Sequence, residues 1–126
     1  RLLDEVPENT LKICFDTGHH SYAAFDPVPF MRRHIGRISY MHFKDIDPVV
    51  KADVIANGTG FYEACGQGIF CNLGKGDVDF PAVRQILLDA GFKGWCTVEQ
   101  DCDPTLDVSP ADDARKNRDY LSSIGF

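Results

Sequence analysis

Three short, mostly apolar runs divide the chain, at residues 11–16, 37–44 and 95–100. Each run has the length of a strand, and the segments between them contain polar residues, glycine or proline. A short apolar run bounded in this way is typical of a buried strand. The pattern therefore predicts three buried strands over these ranges.

Apolar residues at helical spacing follow each predicted strand. We predict that the three helices begin after the N-cap residues Asp26, Asp79 and Ser109. The first ends near Ile35, and the second ends at Gly91, a residue suited to the left-handed turn that closes many helices.

Residues 45–76 form the longest stretch without a regular pattern and contain six of the eleven glycines. We expect a largely irregular segment with room for one short helix. We also expect a loop over residues 17–26, and the tail of a helix followed by a loop over residues 1–10. A loop as long as 45–76 is uncommon in a compact domain and is often functional.

The alternation of strands and helices predicts an α/β fold with parallel strands. Three strands cannot close a barrel, and a full (β/α)₈ barrel needs roughly 250 residues, whereas this chain has 126. We therefore expect a partial (β/α)₈ TIM barrel, completed either by an upstream half or by a second copy. The first residue is Arg1 rather than Met, which adds to the expectation of an upstream part.

Acidic residues outnumber basic ones by nineteen to thirteen, and the net charge is −6. This balance gives no overall attraction to nucleic acid or to an anionic membrane. No apolar stretch approaches the roughly 18 residues of a membrane span. The five cysteines show no repeated metal-binding or disulfide spacing. We expect reduced thiols, a cytoplasmic location, and no nucleic-acid or membrane partner.

Ionisable side chains stand at the C-terminal ends of the three predicted strands, namely Asp16, His42 and Glu99. The C-terminal ends of parallel strands lie together in a sheet or barrel, and ligands bind there. Carboxylate and imidazole groups together suit a divalent metal of intermediate hardness. The sequence therefore predicts one shared metal site.

Each of these residues also has a plainer interpretation. Asp16 would cap the turn that follows it, as Asp often does. His42 would be a satisfied polar group of the core. Glu99 needs a metal or another cationic partner, because an unpaired carboxylate in an apolar strand is costly. Their matching positions favour the shared metal site.

Aromatic residues complete the set of candidates. Trp95 begins the third strand at the end far from the metal site, and we expect it to pack in the interior. Phe61, Phe70 and Phe80 would either form a lid over a substrate or pack within the long segment, and both interpretations stay open.

Four motifs together resemble the xylose-isomerase-like TIM-barrel superfamily. They are Phe-Asp-Thr-Gly-His at 15–19, Met-His-Phe-Lys-Asp at 41–45, Gly-Lys-Gly-Asp-Val-Asp-Phe at 74–80 and Gly-Trp-Cys-Thr-Val-Glu-Gln-Asp at 94–101. Within that superfamily the chain is most similar to the inosose (2-keto-myo-inositol) dehydratases. The resemblance implies that residues 1–126 are the last three βα units, the C-terminal half of such a barrel.

The resemblance also implies a site. Such enzymes hold one divalent ion, most commonly Mn²⁺ or Co²⁺, with Zn²⁺ or Mg²⁺ as alternatives, between Glu, Asp, His and Glu side chains. Asp16, His42 and Glu99 match the last three ligands, and the first Glu would lie on an earlier strand that this chain lacks. His19 and Lys44 match substrate-facing positions.

The implied activity is that of a metal-dependent carbon–oxygen lyase, which dehydrates a keto-inositol through an enediolate. Glu99, or the missing Glu, would be the base, and His19 or Lys44 would help the hydroxyl leave. A sugar isomerase or epimerase of the same superfamily is the first alternative, and a non-catalytic half-barrel that self-associates is the second. The expected partners are a small polyol or sugar, and either a second copy or the missing N-terminal half.

A DNA-repair nuclease of the same superfamily is disfavoured. Such a nuclease uses further histidine ligands in the second half of the barrel, and this chain has no histidine beyond His42.

Overall fold

A three-stranded parallel sheet, with helices packed against one face, forms the centre of the computed structural model. The structure describes residues 1–103, 105 and 108–126. The strands are β1 (Ile13–Asp16), β2 (Ile38–Phe43), β3 (Asp45–Ile46), β4 (Phe70–Cys71) and β5 (Trp95–Val98). The helices are α1 (Leu2–Glu5), α2 (Thr17–Tyr22), α3 (Pro27–His34), α4 (Pro48–Asn57), α5 (Phe61–Gly66), α6 (Phe80–Asp89) and α7 (Pro110–Ser123), with a 3₁₀ turn at Ile35–Arg37.

The main sheet has the strand order β1-β2-β5, with both pairs parallel. Asp16 pairs with His42, and His42 pairs with Thr97, so the C-terminal ends of all three strands lie at one edge. The predicted α/β fold with parallel strands is confirmed, and the described strands do not close a barrel.

One face of this sheet carries the main core. Phe15, Met41 and Phe43 are buried on it, and helices α3, α6 and α7 supply their partners. The three predicted N-caps are confirmed: Asp26 and Asp79 accept from Val28 N and Ala82 N, and Ser109 accepts from Asp112 N. These helices form because their apolar stripes are buried against the sheet.

The opposite face of the sheet is largely uncovered. Alternation along the strands places Cys14, Tyr40 and Trp95 on this face. The Trp95 side chain is 79% exposed, so the expectation that it packs in the interior is wrong for this chain. In a closed barrel this face of the sheet would line the packed interior. The three described strands do not close a barrel, and no described helix covers the face, so Trp95 stays exposed.

The expectation of a largely irregular segment over residues 45–76 is also wrong. Helices α4 and α5 and the antiparallel pair of β3 with β4 fold over this range. They surround a second, smaller core that contains Ile46, Val54, Ala64, Ile69 and Phe70. In the described part of the chain, no helix is both long and apolar enough to cross a membrane.

A buried carboxylate fixes the turn that leads into α6. Asp45 has no exposed surface and accepts hydrogen bonds from the backbone N–H groups of Gly74, Gly76 and Val78, at 2.8 to 3.1 Å, and of Ile46. Burial raises the pKa of the Asp45 carboxyl, although these N–H groups favour its charged form. Asp45, which follows Lys44 in the sequence, therefore has a structural role, and we call its hydrogen bonds to residues 74–78 the clamp.

Gly76→Ala tests this clamp. A Cβ at position 76 would meet the Asp45 carboxylate and the Ile46 carbonyl oxygen, so we expect the free energy of unfolding to fall by about 1–3 kcal/mol. Gly60→Ala is the matched control, because a Cβ there has nothing within 4 Å, and it should change stability by less than about 0.5 kcal/mol. Urea denaturation of both variants makes the comparison, and equal stabilities would contradict the clamp.

Candidate metal-binding active site

The three predicted ligands meet at the C-terminal edge of the sheet. Asp16 ends β1, His42 lies in β2, and Glu99 follows β5, where its backbone N–H donates to the Phe43 carbonyl oxygen. One ligand atom from each of Asp16, His42 and Glu99 lies within 4.8 Å of the others. The structure thus brings together the residues that the sequence predicted to converge.

Asp16 uses its two carboxylate oxygens differently. Oδ1 accepts from the His19 backbone N–H at 2.8 Å and so caps α2. Oδ2 is buried and has no hydrogen-bond partner among the described residues, although it lies 3.5 Å from His42 Nδ1 and 3.4 Å from Lys44 Nζ. The capping interpretation is therefore correct for one oxygen, and the other is free for a cation.

His42 lies between the two carboxylates. Its Nδ1 atom contacts Glu99 Oε2 closely and lies 3.5 Å from Asp16 Oδ2. Two carboxylate oxygens and one imidazole nitrogen are a donor set that suits Mn²⁺, Co²⁺ or Zn²⁺. The residues present therefore fit a divalent ion, and the unsatisfied Asp16 Oδ2 is the atom that most needs one.

Lys44 supplies a positive charge beside this cluster. Its side chain has no exposed surface, and Nζ lies 2.8 Å from Asp101 Oδ2, 2.8 Å from His19 Nε2 and 3.3 Å from Glu99 Oε1. Burial opposes the charged form, but the Asp101 hydrogen bond and the neighbouring carboxylates outweigh it and raise the pKa of Lys44. Lys44 is therefore an ammonium ion that is covered in this conformation.

The Thr-Gly pair of the 15–19 motif holds Lys44 in place. Thr17 Oγ1 donates to the Lys44 carbonyl oxygen at 2.7 Å and accepts from the Lys44 backbone N–H at 3.0 Å. A Cβ on Gly18 would lie 2.8 Å from Lys44 Cβ. Glycine at position 18 is what lets the lysine side chain pass against α2.

Asp101 is a site residue that sequence reasoning missed. It belongs to the 94–101 motif, but we gave a role only to Glu99, two residues earlier. The segment between them is anchored, since Gln100 Oε1 accepts from the side-chain amides of Asn72 and Asn117 at 3.2 Å. The available signal was the i, i+2 spacing, which places both carboxylates on one side of an extended chain.

The two adjacent histidines have separate environments. His19 faces the cluster, with its ring between those of Phe61 and Phe70 at centroid distances of 5.7 and 5.3 Å. His20 packs instead against Phe15 and neighbouring rings, and burial lowers the pKa of its imidazole. The choice of His19 as the residue near the cluster agrees with this placement.

Two of the three phenylalanines lie near the site. Phe61 and Phe70 flank His19, whereas Phe80 is fully buried in the main core. Phe80 therefore packs in the main core, whereas Phe61 and Phe70 both pack in the second core and contact His19 from there.

The sequence matches a family model described as "Xylose isomerase-like TIM barrel" over residues 1–124. Among curated relatives, the inosose dehydratase of Clostridium botulinum (strain Eklund 17B / Type B) is 31% identical over 121 residues, which are 96% of this chain and 40% of that protein. The inosose dehydratase of Mesomycoplasma hyopneumoniae (strain 7448) is 34% identical over 125 residues, 98% of this chain and 41% of that protein.

The chain thus spans about 40% of the length of these curated relatives. A solved structure, a xylose isomerase-like TIM barrel/4-hydroxyphenylpyruvate dioxygenase fusion protein, superposes with a TM-score of 0.63 at 17% identity. That match covers 90% of this chain and 17% of the fusion protein, and it supports the fold.

Thr17→Val tests how much the site depends on its backbone anchor. Valine has nearly the same shape but leaves the Lys44 N–H and carbonyl groups without their partner, which should cost about 1–3 kcal/mol of stability. Thr17→Ser keeps the hydroxyl and loses one methyl group, so we expect the smaller loss of about 1 kcal/mol. Urea denaturation compares the two, and a serine variant less stable than the valine variant would contradict the anchor.

Proposed function

The chain belongs to the xylose isomerase-like TIM-barrel family, and we propose that it carries the metal-binding part of a carbon–oxygen lyase that dehydrates a keto-inositol. The observation that supports this most is the convergence of Asp16, His42 and Glu99 around the unsatisfied Asp16 Oδ2. The relatives named inosose dehydratase suggest the substrate class, a cyclic polyol with one ketone.

We infer that Asp16, His42 and Glu99 hold one divalent ion, with Mn²⁺ or Co²⁺ as the first candidates because the family resemblance implies them, and Zn²⁺ or Mg²⁺ as alternatives. When bound, such an ion supplies a Lewis-acid charge that stabilises negative oxygen on the substrate. A fourth ligand, from an earlier strand or from a second copy, would complete the set. The uncovered sheet face beside the cluster leaves room for that partner.

The proposed reaction is a β-elimination. A carboxylate oxygen of Glu99, or of the missing ligand, takes the proton from the carbon next to the ketone. The electrons of that C–H bond move toward the carbonyl and then form the new double bond, while the C–O bond of the β-hydroxyl breaks. The hydroxyl takes up one proton and leaves as water, so the product has lost one H₂O.

His19 is better placed than Lys44 to give the proton to the leaving hydroxyl. The His19 side chain is 42% exposed, whereas Lys44 is fully covered. Lys44 Nζ lies 2.8 Å from His19 Nε2; an ammonium can only donate in this pair, so a neutral His19 ring that accepts from it would carry its own proton on Nδ1. We therefore assign His19 as the general acid and Lys44 as the group behind it, which replaces the proton.

A sugar isomerase or epimerase is the alternative function. It would use the same cluster and the same proton abstraction, and it would return the proton to carbon instead of expelling a hydroxyl. The two functions differ in the mass of the product, which makes them easy to separate by experiment.

Metal binding is the first prediction of this proposal. Titration with Mn²⁺ should saturate at one ion per assembled site and, at 100 times the dissociation constant, raise the free energy of unfolding by about 2.7 kcal/mol. His42→Ala should abolish both effects, whereas the control His34→Ala should retain them, because His34 packs against Phe30. Isothermal titration calorimetry measures the binding, and thermal melts measure the stabilisation. A native chain that binds none of Mn²⁺, Co²⁺ and Zn²⁺ would refute the metal site.

Activity is the second prediction. Incubation with 2-keto-myo-inositol and Mn²⁺ should yield a product lighter by one water, seen by mass spectrometry. Glu99→Gln should lower the rate at least 100-fold, because it removes both a ligand and a candidate base. The assay uses fractions of known mass from size-exclusion chromatography with light scattering, so that the active species is identified as one copy or two.

The outcomes of that assay separate the candidate functions. A product of unchanged mass with altered stereochemistry would replace the lyase with the epimerase. A folded, self-associated chain that binds metal but converts no substrate would favour the non-catalytic half-barrel. Activity confined to a dimer would show that a second copy completes the site.

A further inference from the structure

We propose that Asp101 is a positioning residue that holds the Lys44 ammonium to one side of the metal cluster, leaving Asp16 and Glu99 free to bind the cation. This inference rests on the proposed function, because it concerns the same site. It assigns a task to a carboxylate that is not one of the three convergent ligands.

The distances show which carboxylate holds the lysine. Lys44 Nζ lies 2.8 Å from Asp101 Oδ2, but 3.3 Å from Glu99 Oε1 and 3.4 Å from Asp16 Oδ2. The first is the distance of a charge-assisted hydrogen bond, and the other two are looser contacts. The ammonium is therefore hydrogen-bonded to Asp101 and makes only longer ion pairs with the two ligands, Asp16 and Glu99.

The surroundings of Lys44 leave it few other partners. Its side chain is fully buried, the Phe70 ring centroid is 4.9 Å from Nζ, and His19 Nε2 takes a second hydrogen bond. Without the Asp101 charge, the ammonium would turn to Asp16 and Glu99, the carboxylates that a divalent ion requires. A buried lysine would then compete with the metal for the same oxygens.

Asp101 is also held at a fixed place. Gln100 is tied by its side-chain oxygen to the amides of Asn72 and Asn117, and the Glu99 backbone N–H is bonded to Phe43. Glu99 and Asp101 therefore leave the sheet as one anchored segment, with one carboxylate at His42 and the other at Lys44. The segment therefore carries two carboxylates with different partners: Glu99 for the metal and Asp101 for the lysine.

A double-mutant cycle on the 126-residue chain tests the proposal. Asp101→Asn keeps the shape and removes the charge, and we expect it to raise the Mn²⁺ dissociation constant about 10-fold, because one charged hydrogen bond is lost and the ammonium is released. The double variant Asp101→Asn/Lys44→Met should bind Mn²⁺ within about 3-fold of Lys44→Met alone, because no ammonium remains to be positioned. Isothermal titration calorimetry gives all four constants, and melts without metal confirm that each variant folds.

The cycle separates a positioning role from a structural one. If Asp101→Asn weakens Mn²⁺ binding equally in the native and Lys44→Met backgrounds, Asp101 does not act through Lys44, and the proposal is overturned. The same holds if Asp101→Asn leaves Mn²⁺ binding unchanged. A native chain that binds no metal would instead refute the proposed function, and any coupling seen in the metal-free melts would then reduce Asp101 to a structural partner of Lys44.

Discussion

The burial of the Lys44 ammonium among carboxylates is the interaction on which the rest of the site depends. An ammonium ion with no exposed surface is tolerated only when it is paired and hydrogen-bonded. Its partners come from different elements: Asp16 ends β1, His19 lies in α2, and Asp101 follows β5. Because these partners come from separate parts of the chain, the three βα units are coupled at this point. Thr17 and Gly18 belong to the same arrangement, because the hydroxyl fixes the lysine backbone and the missing side chain makes room for its stem.

Strand ends and helix caps could be predicted from the sequence, because both depend on local patterns. Asp16, His42 and Glu99 were found because each closes an apolar run, and parallel strands must bring those ends together. Helix α4 was missed although Asp47, Pro48 and Gly58 signal its two ends, since its apolar residues do not form a clear stripe. Helix α2 was missed because Gly, His and Ser suggest a loop, whereas Asp16 supplies its cap.

The remaining errors concern tertiary context, which one sequence does not display. Asp101 resembles any acidic residue after a strand until the position of Lys44, 57 residues earlier, is known. Trp95 was expected to pack in the interior because it begins the third strand at the end far from the metal site, but its face of the sheet is the one that a closed barrel would enclose. The exposed tryptophan lies on the same open face of the sheet as Asp16 and His42, because residues two apart along a strand point to the same side.

The arrangement of proton donors bears on which reaction the cluster favours. Elimination needs one base for the α-proton and one acid for the departing hydroxyl, whereas epimerisation needs donors on both faces of the substrate. In the described residues, Lys44 Nζ lies 3.3 Å from Glu99 Oε1 and 2.8 Å from His19 Nε2, and His19 is the exposed member of the His19–Lys44 pair. Under the proposed function, Glu99 would be the base and the His19–Lys44 pair the acid, and their roles would be unequal because the lysine would supply the proton through His19. With those roles, such an asymmetric pair would favour loss of water over return of a proton to carbon, which is why we propose the lyase before the epimerase.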